Sequence, residues 1–147
     1  QAVERFGPEA VPPLIQLLQH GLPTDVAAEL PGDVSTVVRI RTIIALGSLH
    51  DIRAIDPLIT VLHDPNPLMR AEAAKALGEI GARNTVLTAL LPLLNDPDPL
   101  VRELTATALR DLGMPEAVPA LRKAIQAEPQ EHIRRAMDMA IQALEKR

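Results

Sequence analysis

Four arginines recur along this 147-residue chain at nearly constant intervals, and this feature constrains the fold more than any other. They are spaced 31, 32 and 32 residues apart, at Arg39, Arg70, Arg102 and Arg134. Each has an acid six residues before it, an apolar residue directly before it, an alanine six residues after it and aliphatic residues seven and ten after it. Self-similarity at such a period predicts a stacked repeat protein, in which each repeat packs on its neighbours.

Each repeat has the pattern of two helices separated by a break that contains proline. In the second copy, Asn66 is a suitable N-cap, Pro67 a suitable first helical residue and Gly81 a suitable end. The shared apolar positions recur at steps of three and four, so they line one face of a helix. The sequence therefore predicts an all-α fold: a right-handed α-α superhelix, or solenoid, of about four helix pairs, preceded by a partial helix at the N-terminus.

The repeats form one domain over residues 1–147, with approximate boundaries at 8–49, 50–81, 82–113 and 114–147. The first repeat carries an insertion, residues 20–32, for which we expect a single short helical turn. We expect this insertion or the preceding partial helix to cover Ile40 and Ile44; the alternative is that the two isoleucines form a partner-binding patch. Because the chain begins with Gln1 rather than Met, we expect it to be a piece of a longer protein.

Composition argues against several classes of function. The chain has no cysteine, which excludes disulfides, thiolate metal sites and thiol nucleophiles. A net charge of -4 and a single aromatic residue, Phe6, do not provide the basic stripe and stacking surfaces of a nucleic-acid binder. No apolar run approaches the length of a membrane span. We therefore expect a cytoplasmic protein that binds neither nucleic acid nor membrane, and the oligomeric state stays open.

The residues that could carry chemistry are scattered. The histidines are His20, His50, His63 and His132, and none forms a helical pair with a second metal ligand. Neither Ser35 nor Ser48 lies in the context of a nucleophilic serine, and the glycines do not form a phosphate-binding loop. The sequence therefore predicts no catalytic residue, no metal site and no cofactor.

Residues 64–81, with the lead-in 53–59, resemble a HEAT repeat, most closely the short type named for phycobilisome lyases. The resemblance implies a ladder of acids and arginines between neighbouring repeats. It assigns this structural role to Asp33, Arg39, Asp64, Arg70, Asp96, Arg102, Glu128 and Arg134. We expect Arg70 and Asp64 to be energetically coupled in it. The fourth copy departs from the pattern at Met137-Asp138 and Gln142, which predicts a capping repeat. HEAT-like deoxyhypusine hydroxylases carry His-Glu pairs on several repeats, and this sequence has none.

The fold predicts a non-catalytic scaffold that binds a protein partner on the concave surface of its stacked second helices. The predicted partner-binding residues are Ile40, Arg41, Ile44, Glu72, Lys75, Glu79, Glu103, Leu104, Thr107, Asp111, Arg135 and Met139. Two alternatives remain open. One, implied by the resemblance, is a bilin lyase or lyase subunit that acts on phycobiliproteins; the other is a regulatory repeat segment of a larger kinase or ATPase.

Overall fold

The computed structural model describes residues 7–31, 34–81 and 84–146, and this part of the chain contains helices and turns but no strand. Its α-helices are α1 (Val11–His20), α2 (Thr24–Ala28), α3 (Val34–Leu49), α4 (Ile55–Val61), α5 (Pro67–Ile80), α6 (Asn84–Leu90), α7 (Pro99–Leu112), α8 (Val118–Ala127) and α9 (Glu131–Glu145). Short 3-10 helices occupy Gly7–Ala10, Ile52–Ala54, Leu91–Asn95 and Pro115–Ala117. Within these residues, no helix combines the length and apolar character needed to cross a bilayer.

The helices form two layers. The second helices of the repeats, α3, α5, α7 and α9, contact one another in chain order. The first helices, α1, α4, α6 and α8, lie behind them, each against the second helix of its own repeat. This arrangement confirms the predicted all-α solenoid of four helix pairs. The predicted partial helix at the N-terminus falls on residues 1–6, outside the described part of the chain.

The second helices α5 and α7 begin where the sequence predicts, because the break before each supplies a side-chain cap. The interpretation of Ser35 as a cap is wrong, because α3 already begins at Val34. The Asn66 side chain accepts a 2.9 Å hydrogen bond from the Leu68 N–H, and Asp98 does the same for Leu100. Proline follows each cap, where its missing N–H costs no helical hydrogen bond. Gly81, with a φ of 127°, ends α5. The caps fix the helix starts and thereby the register of the outer side chains.

The core is built from the columns that the repeat pattern identified. The residues seven after each arginine, Leu46, Leu77, Leu109 and Ile141, are buried, as are the alanines one residue before them. A further buried column, four residues after the arginine, was not predicted: Ile43, Ala74 and Ala106 have no exposed surface. This column belongs to the flank of each second helix that faces the following repeat.

Two glycines let neighbouring second helices approach closely. A Cβ on Gly78 of α5 would lie 2.8 Å from the Cα of Ala108 in α7 and 2.9 Å from its carbonyl oxygen. A Cβ on Gly47 of α3 would lie 3.0 Å from the Cα of Ala76 in α5. Both residues stand eight positions after an arginine of the repeat, so the contact joins the same columns at both boundaries. At the third boundary Arg110 takes this position, a departure that the sequence analysis missed.

The insertion forms the predicted short helix, α2, but it does not cover the predicted patch. All of its described residues from Pro23 to Pro31 are exposed, and its N-terminal part lines a cleft with Pro13 and Leu17 of α1. Ile44 stays 45% exposed, so the expectation that the insertion covers it is wrong. The physical reason is that the segment lies beside the first helix, away from the outer side of the second.

Candidate functional site

The arginines join successive repeats, and each pairs with the acid of the following repeat. Arg70 donates from Nε and Nη2 to the two carboxylate oxygens of Asp96, at 3.0 and 2.9 Å. Arg102 engages Glu128 in the same two-pronged way, at 2.6 and 3.2 Å. Arg39 makes a single 3.1 Å hydrogen bond to Asp64. The expected ladder between repeats is therefore present at three boundaries; its first acid, Asp33, lies outside the described residues.

The remaining edge of the guanidinium binds the backbone of its own repeat. The Nη1 atoms of Arg70, Arg102 and Arg134 each donate a 2.8 Å hydrogen bond to the main-chain oxygen of the acid six residues earlier, which is Asp64, Asp96 or Glu128. The side chains of Arg70 and Asp64 therefore do not form the direct ion pair on which strong coupling would depend, and their energetic coupling stays to be measured. Arg70 contacts Asp64 through its carbonyl group, while the Asp64 carboxylate binds Arg39 and the N–H of Asn66.

Of the three ion pairs between repeats, Arg102–Glu128 is the most buried. The Glu128 side chain is 1% exposed and that of Arg102 is 14% exposed. Burial alone would raise the pKa of Glu128, but hydrogen bonds from Arg102 and from the Gln130 N–H outweigh it, so the pKa lies below its usual value. Every ladder carboxylate among the described residues has an arginine partner. These pairings give the ladder acids a structural role between repeats.

The flank of α9 that would face a following repeat is polar. Asp138 and Gln142 are exposed and hydrogen-bond each other at 2.8 Å, at the positions held by Ala74 and Gly78 in α5. Arg135, on the same flank, is also exposed. A polar flank of this kind is typical of a capping helix, and the capping role of this repeat stays a prediction.

The outer face of the second helices is a surface formed by equivalent positions of the four repeats. It consists of the residues two before and two, five and nine after each arginine, a spacing that places them on one stripe of a helix. We call this stripe of sixteen residues the outer face; it comprises Val37, Arg41, Ile44, Ser48, Leu68, Glu72, Lys75, Glu79, Leu100, Leu104, Thr107, Asp111, His132, Ala136, Met139 and Ala143. All of them are exposed or partly exposed.

The predicted partner-binding residues divide by burial. The exposed ones are Arg41, Ile44, Lys75, Asp111, Arg135 and Met139, and the partly buried ones are Glu72, Glu79, Glu103 and Thr107. Ile40 and Leu104 pack against the hydrophobic core, so describing them as simply outward-facing is wrong. Ile40 is the residue directly after Arg39, and a rotation of 100° per residue turns this position toward the following repeat. The equivalent residue of the second repeat, Ala71, is fully buried.

Sequence reasoning missed one row of this surface. Val37, Leu68 and Leu100 are between 39% and 46% exposed, and each lies two residues before a ladder arginine. We call these three residues the apolar row. The fourth member of the column is His132, also exposed. The sequence does contain a sign of this row, because three aliphatic residues occupy the same position of the repeat near the helix start. An aliphatic residue in the first turn of a helix is, however, easily interpreted as part of the core.

The described residues do not assemble a metal site. No three His, Asp or Glu side chains among them come close enough to hold a metal ion. His132 lies 3.8 Å from Glu103, and both side chains are solvent-exposed. The outer face carries both aliphatic and charged side chains.

The chain has recognisable relatives in sequence pattern and fold. HEAT repeats match at residues 24–94 and 87–147. The structure of human deoxyhypusine hydroxylase in complex with glycerol is similar, with a TM-score of 0.69 and 24% sequence identity. The similarity covers 94% of this chain and 44% of that one, so the chain spans less than half of the enzyme. At this identity it shows the fold alone. No curated protein matches the chain. Because the repeat pattern covers most of its length, the chain belongs to the HEAT-repeat family.

Proposed function

We propose that this chain is a non-catalytic scaffold that binds a partner protein on the outer face of its second helices. The observation that carries the proposal is the set of aliphatic side chains left exposed there: the apolar row together with Ile44 and Met139. They lie on several different helices but on one side of the solenoid. Aliphatic groups gathered on one surface and rimmed by charges are typical of protein interaction sites.

The charges on this surface favour a protein over a nucleic acid. On the outer face, α5 and α7 carry the acids Glu72, Glu79 and Asp111 against the base Lys75. An acidic excess in the middle of the face would repel a phosphate backbone, which needs a basic stripe. A partner protein with exposed lysine or arginine would complement this acidic excess.

Site-specific cross-linking tests this proposal. A photoreactive amino acid is placed at Met139 on the outer face or, as control, at Thr88, which is exposed on α6 in the other layer. We expect one protein to cross-link at position 139 and not at 88. The same protein, once purified, should bind the unmodified chain and lose affinity for Ile44→Ser. Equal cross-linking at both positions, or unchanged affinity of Ile44→Ser, would contradict the proposal.

The alternatives have separate tests. A bilin lyase, as the resemblance to the short phycobilisome-lyase type implies, should bind an open-chain tetrapyrrole and shift its visible absorption, and we expect no shift. A regulatory segment of a kinase or ATPase should change the turnover of that catalytic domain when added in trans. We favour the scaffold because the exposed aliphatic side chains of the outer face are the feature that a protein partner would cover.

A further inference from the structure

The last arginine of the ladder, Arg134, is anchored like the others but has no acid on its other side. Its Nη1 atom donates a 2.8 Å hydrogen bond to the Glu128 main-chain oxygen, as Arg70 and Arg102 do in their own repeats. In Arg70 and Arg102 the Nε and Nη2 edge then binds the acid of the following repeat. Among the residues that the structure describes, no carboxylate oxygen lies within 4 Å of the Arg134 guanidinium. Arg134 therefore presents a fork of donors on the flank of α9.

The ladder itself shows which group fits such a fork. Its bound acids, Asp64, Asp96 and Glu128, are each followed by proline. Each accepts a hydrogen bond from the N–H two residues later, at 2.9, 2.9 and 3.1 Å respectively. A second helix begins three residues after each acid. We call this arrangement the acid–proline turn. The three equivalent sites thus predict that Arg134 fits the acid of a further turn of this kind.

The other charges on this flank of α9 already have partners. Arg135 donates a 2.6 Å hydrogen bond to Glu131, and the Asp138 carboxylate accepts a 2.8 Å hydrogen bond from Gln142. An incoming carboxylate is therefore directed to Arg134. A guanidinium fork can also bind phosphate, but the equivalent forks of this chain bind carboxylates.

The polarity of the flank favours a partner that binds and leaves over a permanently stacked repeat. The corresponding flank of α5 carries Ala74 and Gly78, which α7 covers completely. On α9 these positions are Asp138 and Gln142, which are exposed and hydrogen-bonded to each other. Such a flank needs no cover, and transient interfaces are more polar than permanent ones.

We propose that Arg134 binds the carboxylate of an acid–proline turn in a partner protein, and that the helix after this turn lies along the polar flank of α9. The site is separate from the outer face, so the inference does not depend on the proposed function. It adds a second interaction surface, on the side of the fourth repeat away from the third.

NMR of the arginine Nε–H signals tests this inference on the whole chain. The probe is a synthetic peptide with the sequence of residues 94–112, which contains an acid–proline turn and the helix after it. We expect it to shift the Arg134 signal but not those of Arg70 and Arg102, whose forks are occupied. The same peptide with Asp96→Asn should bind roughly tenfold more weakly, because a charge-assisted hydrogen bond is lost.

Paired variants of the chain locate the binding. Arg134→Lys keeps the positive charge but lacks the planar fork, so it should weaken the probe roughly fivefold or more. Arg135→Lys is the matched control, because it makes the same change at the next residue, and its affinity should equal that of the wild type. Circular dichroism verifies that both variants are folded. The comparison of the two peptides uses the unaltered chain and does not depend on either variant.

Several results would overturn the inference. Equal binding of the two peptides, equal effects of the two lysine variants or no shift of the Arg134 signal would show that the fork does not recognise the acid. An equal shift with inorganic phosphate at the same concentration would show a site for any anion. A shift with protein concentration alone would assign the surface to a second copy of this chain.

Discussion

Arg102 and Glu128 form a two-pronged ion pair across the boundary between the third and fourth repeats, with Nε–Oε2 and Nη2–Oε1 distances of 2.6 and 3.2 Å. The same carboxylate accepts a hydrogen bond from the Gln130 N–H just before α9. One acid therefore ties two repeats together and also fixes the start of a helix. Because the outer face is assembled from several helices, this register determines which of its side chains are neighbours.

The pairing across the boundary predicts energetic coupling between Arg70 and Asp96. In a double-mutant cycle of Arg70→Ala and Asp96→Ala, we expect a coupling of about 1–3 kcal/mol in the free energy of unfolding. The cycle of Arg70→Ala with Asp64→Ala should give less than about 0.5 kcal/mol, because Arg70 binds the main-chain oxygen of Asp64, which alanine retains. Urea denaturation measures both. A larger coupling to Asp64 would contradict the observed geometry.

The lowered pKa of Glu128 in the folded chain predicts that the protein loses stability in acid. Its pKa is lowered in the folded chain, so it stabilises the fold above the pKa of an unfolded glutamate, about 4.3, and this contribution is lost as the pH falls through the folded value. We expect the unfolding free energy of the wild type to fall between about pH 5 and pH 3. Glu128→Gln should be less stable at pH 7 and should lose less over that range. If the unfolding free energies of both proteins fell equally over this pH range, Glu128 would not be the cause of the acid destabilisation.

Gly78→Ala should separate α5 from α7. Although alanine favours a helix by up to about 1 kcal/mol, the added Cβ would meet the Ala108 backbone at 2.8 Å, so we expect a net destabilisation of about 1–3 kcal/mol. Ser48→Ala, at an exposed site in α3, serves as the control for helix propensity and should stay within about 0.5 kcal/mol. Thermal unfolding compares the two. A stabilised Gly78→Ala would show that the helices can move apart without cost.

Leu77→Ala should cost about 2–5 kcal/mol, because a fully buried side chain between two inner repeats is removed. Lys75→Ala, two residues earlier on the exposed side of the same helix, should change stability by no more than about 0.5 kcal/mol. Chemical denaturation of the two variants would give equal midpoints only if the assignment of helix faces were wrong.

Replacing the insertion, residues 20–32, with a short turn should leave the protein folded. None of its described residues is buried, and the entropy of a loop changes slowly with length. Because α2 does not cover Ile44, binding of a hydrophobic dye should not rise above that of the wild type. Unfolding of the deletion variant, or a clear gain in dye fluorescence, would show that the segment protects apolar surface after all.

The sequence alone determined the repeat, its two helices and most of the buried columns, and the resemblance to a HEAT repeat implied the residues of the ladder. These features depend on local spacing: residues three and four apart share a helix face, and caps and prolines act within one turn. The sequence therefore predicted that Leu77 is core and that Asn66 starts a helix. It also predicted that Arg39 and Asp64 take part in contacts between repeats.

Only the tertiary structure decided which repeat supplies each partner and which side chains stay exposed. Arg70 has an acid before it in its own repeat and another in the next, and the packing of α5 against α7 selects Asp96. Ile40 and Val37 are both aliphatic residues near one helix start, yet Ile40 packs on the core while Val37 is exposed. The physical reason is that exposure depends on the neighbouring helix, whose position follows from contacts between residues distant in the chain.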